Sequence, residues 1–223
     1  MNFREQAILA SWEKNARRWI DLIQRRGIAS RNLVTDSAIV EAVLSQKPHT
    51  MLDLGCGEGW LCRMMAGKDI QVTGADAIPE LIEYARQSGP GRYVLAEYAS
   101  IASGKVTFSH RFDVITLNFA LLGKESTAQL LAALPQQLEP GGCLLIQTLH
   151  PGIRESEGES SGWKEGSWEG LQADFTDPYE WYFRTLEDWL HLIKEAGFSR
   201  VQATDYPHPE TGAPLSVIFE CRA

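Results

Sequence analysis

His49-Thr50-Met51-Leu52-Asp53-Leu54-Gly55-Cys56-Gly57-Glu58-Gly59 is the stretch that decides how this chain folds. Residues 50–54 form a short, mostly apolar run, the pattern of a strand buried in a parallel sheet. Three glycines end it, and residues 60–67 read as a helix that starts at once. Glycine lets the backbone turn sharply and approach a ligand, and a helix N-terminus presents free N–H donors. Strand, glycine turn and helix make the first half of a nucleotide-binding unit. Residues 70–75 then read as a second strand that closes on Asp76. A carboxylate about twenty residues past the glycines can accept hydrogen bonds from both ribose hydroxyls.

The glycine spacing separates the nucleotide classes. A dinucleotide fingerprint needs Gly-x-Gly-x-x-Gly, whose third glycine lets the helix pack beside a bound pyrophosphate. That third position falls on Trp60 counting from Gly55 and on Cys62 counting from Gly57. No Gly-Lys-Ser/Thr follows, so a phosphate loop is excluded as well. The chain has Asp53-x-Gly55-x-Gly57-x-Gly59 instead. The carboxylate before the glycines suits a ligand with an ammonium group and repels a pyrophosphate.

With this motif and Asp76 in place, the chain resembles the class I S-adenosylmethionine-dependent methyltransferases, whose first motif is written here as Leu52-Asp53-Leu54-Gly55-Cys56-Gly57-Glu58-Gly59. The resemblance covers roughly residues 48–222. It implies an α/β fold, a Rossmann-like, doubly wound seven-stranded sheet with the last strand antiparallel and helices on both faces. It implies S-adenosylmethionine as cofactor, held by Asp53, Gly55, Cys56 and Gly57 in the first turn and by Asp76 and Ala77 after the second strand. Glu97 and Tyr98, ending a third strand over residues 93–98, match the family's adenine-binding position. Asn118, ending a fourth strand within residues 108–119, falls where the methionine part and the transferable methyl lie. Phe112-Asp113-Val114-Ile115, Leu138-Glu139-Pro140-Gly141-Gly142 and Gly197-Phe198 are further matches.

The rest of the chain fits around this unit. Residues 3–26 read as a helix with Ile8, Trp12, Trp19, Ile20 and Ile23 roughly on one face. It is either a helix packed on the domain or a flap whose tryptophans shield the site. Gly27 is its expected stop, and Thr35 the expected N-cap of a helix over residues 36–45. Arg31, between those helices, is either merely solvated or faces a carboxylate of cofactor or substrate. Further helices are expected at 79–87 and 126–138, with Pro140-Gly141-Gly142 a tight turn before a fifth strand at 143–149. Residues 152–177 are rich in Gly, Ser, Glu and Trp and show no periodicity, the mark of a lid or of disorder. Thr185 begins a Thr-x-x-Asp box, the cap of a helix running to Gly197. Strands at 201–206 and 215–221, linked by three prolines and Gly212, suggest a closing hairpin. The chain thus reads as one methyltransferase domain, 1–223, with a helical cap (1–47), a cofactor-binding half (48–150), a lid-like insertion (151–183) and a C-terminal helix and hairpin (184–223).

Composition narrows the function further. The chain has 223 residues, enough for one substantial core, and a formal charge of −8 that disfavours nucleic acid. No apolar run reaches membrane-spanning length, and the N-terminus lacks the features of a signal peptide. Cysteines 56, 62, 143 and 221 show no Cys-x-x-Cys spacing, which argues against zinc and for reduced thiols in the cytoplasm. Oligomeric state is open. Asn118-Phe119-Ala120 lacks the Pro-Pro-aromatic that accompanies methylation of nucleic-acid bases, so a small-molecule acceptor is expected. Methyl transfer needs alignment, exclusion of water and sometimes a base. His150, on the functional rim, is the candidate base, or simply the residue before a proline turn. The substrate wall is expected from Trp12 or Trp19, Phe119, His150 and the aromatics of 179–182. A non-catalytic S-adenosylmethionine-binding protein and a nicotinamide oxidoreductase are the alternatives.

Overall fold

The computed structural model describes residues 2–171 and 173–223. In chain order its elements are α1 (Phe3–Gln24), one π-helical turn (Arg31–Thr35), α2 (Asp36–Ser45), β1 (Thr50–Leu54), α3 (Trp60–Ala66) and β2 (Gln71–Asp76). There follow α4 (Pro79–Ser88), β3 (Arg92–Leu95), α5 (Tyr98–Ala102), β4 (Phe112–Asn118), α6 (Glu125–Ala133) and β5 (Leu138–Leu149). The chain ends through α7 (Gly152–Glu155), β6 (Gly162–Lys164), β7 (Trp181–Phe183), α8 (Leu186–Glu195), β8 (Arg200–Pro207) and β9 (Pro214–Arg222).

Seven strands form one sheet in the order β3-β2-β1-β4-β5-β9-β8. β1 to β5 run parallel, and β9 is antiparallel to both β5 and β8. Alternate strand residues build the two faces, as the period of two requires. Leu52, Leu54, Ile115, Leu117, Leu144 and Ile146 pack with Leu130 and Leu131 of α6 and with Trp189 and Ile193 of α8. Met51, Val114, Cys143 and Leu145 pack on the other face with Ile39 and Val43 of α2, Leu61 and Met65 of α3, and Ile82 of α4. The strand order reverses between β1 and β4, which opens a crevice at their carboxyl ends.

Several local expectations are corrected. α1 ends at Gln24, and Arg26, not Gly27, takes the left-handed conformation (φ 52°). Thr35 caps nothing, because the π-helical turn runs into α2 with Thr35 itself helical. β3 stops at Leu95, and Tyr98 begins α5 rather than ending a strand. Pro140-Gly141-Gly142 lies inside β5, where the partner of Phe112 is Leu138 and that of Val114 is already Cys143. The turn expected there is an out-looped irregularity in one strand. The insertion is not structureless either: it holds α7, and β6 pairs antiparallel with β7 as a small second sheet. Thr185 does cap α8, accepting a bond from the Asp188 N–H at 3.2 Å.

α1 lies over the carboxyl edge of the sheet, with Ala16 and Ile20 packed on Ile78 and Leu81. Its buried face is part polar: Glu5, Ser11 and Asn15 are each at most 4% exposed. The insertion supplies partners for Ser11 and Asn15. Asn15 donates to the Thr176 carbonyl at 2.7 Å and accepts from the Thr176 N–H at 3.0 Å. Ser11 donates to the Asp177 carbonyl and accepts from the Trp168 indole. Amphipathic periodicity therefore found only half of this face.

Candidate active site

A cavity of about 570 Å³ occupies the crevice at the carboxyl ends of β1, β2, β4 and β5. α1 and the insertion roof it. One end is acidic and carries the glycine turn; the other is aromatic.

The acidic end grows out of β1. Gly55, Gly57 and Gly59 all have positive φ, so the turn coils tightly at the strand's end. At Gly55 a Cβ would come within 2.5 Å of the Tyr98 hydroxyl and of the Ala120 Cβ, so no larger residue fits. Asp53, 2% exposed, accepts from the Thr116 hydroxyl at 2.6 Å and from the Cys62 thiol at 3.5 Å. Burial pushes its carboxyl up to about 6 against the lowering effect of those bonds, with Asp76 and Glu58 adding to the rise. Asp76 accepts from the Gly57 N–H and the Ile78 N–H, each at 2.9 Å, and so clamps the glycine turn to the start of α4. Burial raises its carboxyl too, opposed by those backbone donors. Glu58, also raised by burial, is paired with Arg63 at 2.9 Å. Three carboxylates around one turn make a well of negative potential.

All nine positions expected to hold a cofactor line the cavity: Asp53, Gly55, Cys56 and Gly57, then Asp76 and Ala77, then Glu97, Tyr98 and Asn118. Their individual settings differ. Glu97 is exposed at the head of α5. Tyr98 ties strand ends together, donating to the carbonyls of Ala120 at 3.2 Å and Leu54 at 3.5 Å. Burial holds that phenol well above its ordinary pKa, so it stays a donor. The Asn118 Oδ1 is buried with no partner among the described residues. An acceptor left empty costs about 1–3 kcal/mol, and this one belongs to a residue that lines the cavity. Phe119 beside it has a φ of 53°, a conformation rare for a large side chain and commonest where function requires it.

His150 also lines the cavity, but its ring is committed. Nδ1 accepts from the Gly152 N–H at 3.0 Å, and Nε2 lies 3.1 Å from the Asp205 carboxylate. With Nδ1 accepting, Nε2 carries the proton and donates to Asp205. Both ring nitrogens are thus engaged in this structure, one by a backbone N–H and one by an exposed carboxylate. Arg31 pairs with Asp36 at 2.8 Å and lies over the Trp60 ring at 4.6 Å.

The aromatic end joins residues far apart in sequence. Trp12 packs edge-on against both Trp19 and Trp168, with ring centroids 5.0 Å apart in each pair. The Trp12 indole donates to the Tyr179 hydroxyl at 2.9 Å. Trp181, Tyr182 and Phe183 of β7 continue the wall. Two charged residues here had no signal in the sequence. Glu5 accepts from the Ser126 N–H and hydroxyl, both at 2.9 Å, at the start of α6. Arg184, between β7 and α8, donates through Nη2 to the carbonyls of Gly123 at 2.9 Å and Lys124 at 3.0 Å. Neither position lies in a motif.

The comparisons with known proteins agree with this architecture. A model described as a methyltransferase domain matches residues 11–203. A ubiquinone biosynthesis O-methyltransferase of Saccharophagus degradans is 30% identical over 66% of this chain and 63% of its own length. The chain thus spans less than two thirds of the curated relatives it matches first. A Burkholderia thailandensis 1,6-didemethyltoxoflavin-N1-methyltransferase, solved with its substrate and S-adenosylhomocysteine, superposes with a TM-score of 0.67 at 18% identity, covering 100% of this chain and 92% of its own. A Mesorhizobium loti S-adenosylmethionine-dependent methyltransferase gives a TM-score of 0.61 at 22% identity, covering 82% and 96%. A family model spanning most of the chain, on a sheet with the β5–β9 antiparallel ending, makes this protein a member of the methyltransferase domain family.

Proposed function

We propose that the protein transfers a methyl group from S-adenosylmethionine to a small-molecule acceptor. The observation that carries this reading is the three-carboxylate glycine turn facing an aromatic chamber inside one cavity. The nine lining positions fit the cofactor's chemistry. Asp76 keeps lone pairs free beyond its two backbone bonds and would accept from the ribose hydroxyls. Glu97, exposed at the cavity's edge, would accept from the adenine amino group. The empty Asn118 Oδ1 and the charge of Asp53 suit an ammonium group. When bound, the cofactor supplies a methyl carbon already activated by its sulfonium. The chain's own residues bind, orient and exclude water, with alignment as the main catalytic device. His150 acts through the rim, and Trp12, Trp168 and Tyr179 close the chamber to solvent.

The net charge of −8 and the enclosed chamber support a small acceptor over nucleic acid. No helix among the described residues is long and apolar enough to cross a membrane. Four free, buried thiols support work in a reducing compartment, the cytoplasm. A nicotinamide cofactor is disfavoured by Trp60 at the third-glycine position, where its ring is covered by Arg31.

Isothermal titration tests the reading. S-adenosylmethionine and S-adenosylhomocysteine are expected to bind at micromolar strength, and NAD at least a hundredfold more weakly. Asp76→Ala is expected to weaken the cofactor at least tenfold, since it removes charge-assisted bonds and releases Gly57 together. NAD binding as tight as that of the methyl donor sinks the assignment.

A further inference from the structure

Arg184 is an anomaly at the aromatic end of the cavity. It is 5% exposed, and burial lowers its guanidinium to about 10. Arginine is seldom buried without a counterion, because an unpaired buried charge loses hydration and gains nothing in return. Yet no ion pair to Arg184 occurs among the described residues. Asp188, Glu5 and Glu125 act on it only from beyond contact distance. Its Nη2 is spent on the Gly123 and Lys124 carbonyls, while Nη1 is buried with no partner among the described residues. The rings of Tyr182 and Trp189 lie 4.8 and 4.9 Å from the guanidinium carbon and cover its faces. Among the described residues Nη1 is thus an unpartnered donor, on a residue that lines the cavity.

We propose that Arg184 is an anion-anchoring, specificity-determining residue: the methyl acceptor is a small aromatic acid whose carboxylate bonds to Nη1. The assignment rests on the methyltransferase reading above and deepens it. The carbonyls that Arg184 holds belong to the segment after β4, which follows directly on Asn118 and starts with Phe119. The anion subsite and the cofactor end are therefore two ends of one short loop. A carboxylate docked on Arg184 places the acceptor's body along that loop against Trp12, Trp181 and Tyr182, with its far end towards Asn118. A charge-assisted bond in a desolvated site is stronger than a neutral one and fixes orientation, which is what alignment needs. It also supplies the counterion that Arg184 lacks.

The two possible roles of Arg184, anchor for a ligand or clamp for the 123–124 carbonyls, separate in one experiment. Benzoate, 4-hydroxybenzoate and indole-3-acetate serve as probes, each beside its carboxamide, titrated into the protein saturated with S-adenosylhomocysteine. At least one acid is expected to bind tenfold or more tightly than its amide. Arg184→Gln is expected to abolish that ratio while leaving the S-adenosylhomocysteine dissociation constant within twofold. Arg184→Lys, which keeps the charge if the glutamine variant does not fold, is expected to reduce the ratio without removing it. Acids that bind no better than their amides, a ratio that survives in Arg184→Gln or is unchanged in Arg184→Lys, or no binding by any acid overturn the proposal. A clamp alone lowers thermal stability and moves acid and amide together. Failure of S-adenosylhomocysteine to bind wild type is read separately and overturns the methyltransferase reading itself.

Discussion

Asp53 serves two demands that pull against each other. The proposed cofactor favours a carboxylate at the glycine turn; stability does not favour a charge buried there. Its folded carboxyl is raised to about 6 from an ordinary 3.8, so its contribution to stability is fully present below pH 3.8 and is lost as pH rises through 6. At neutral pH the buried charge costs on the order of 3 kcal/mol. Asp53→Asn is therefore expected to melt higher than wild type at pH 7.5, with the gap shrinking towards pH 4, and to bind S-adenosylmethionine more weakly. A lower melting temperature for the variant at pH 7.5 would contradict this account. The two bonds held by the His150 ring set a second prediction. With Nδ1 and Nε2 both bonded, His150→Ala should lower turnover less than tenfold. A hundredfold loss with cofactor affinity intact would restore it as a general base.

Among the elements, α1 and the insertion behave as one seam. The Asn15 and Thr176 bonds, the Trp12–Tyr179 bond, the Trp168–Ser11 bond and the Lys14–Asp177 pair at 2.7 Å all cross it. The exposed Lys14–Asp177 pair adds little, as surface pairs do. The buried Asn15 contacts matter more, since removing the side chain leaves the Thr176 N–H and carbonyl without partners. Hydrogen exchange at the Thr176 amide is expected to be slow in the cofactor-free protein and at least tenfold faster in Asn15→Ala. Exchange at the unprotected rate in wild type would show that the insertion is a mobile lid closed by something other than this seam. That the sequence showed no sign of the β6–β7 sheet has a plain cause. β6 and β7 have three residues each and lie about twenty apart, too short and too distant for a local pattern to register.

Over the whole molecule, the strand order reverses between β1 and β4, which opens the crevice at their carboxyl ends that α1 and the insertion then roof. Much of this was legible in the residues. Thr50–Leu54, the three glycines and Asp76 lie within one short stretch, and the proline that opens α4 and the Thr185 cap of α8 each act on their own helix start. Such features are local: backbone sterics, capping geometry and the period of a buried strand act between near neighbours, and a linear reading sees them. The order of the parallel strands and the closing antiparallel pair followed from the family pattern those residues carry. Only the tertiary structure decided the rest. The Tyr98 hydroxyl reaches Leu54 and Ala120, Glu5 caps α6 from 121 positions away, Asn15 meets Thr176 from 161, and Arg184 is buried with no counterion among the described residues. Whether a polar group is satisfied depends on who surrounds it after burial, and that neighbourhood exists only once the chain has closed.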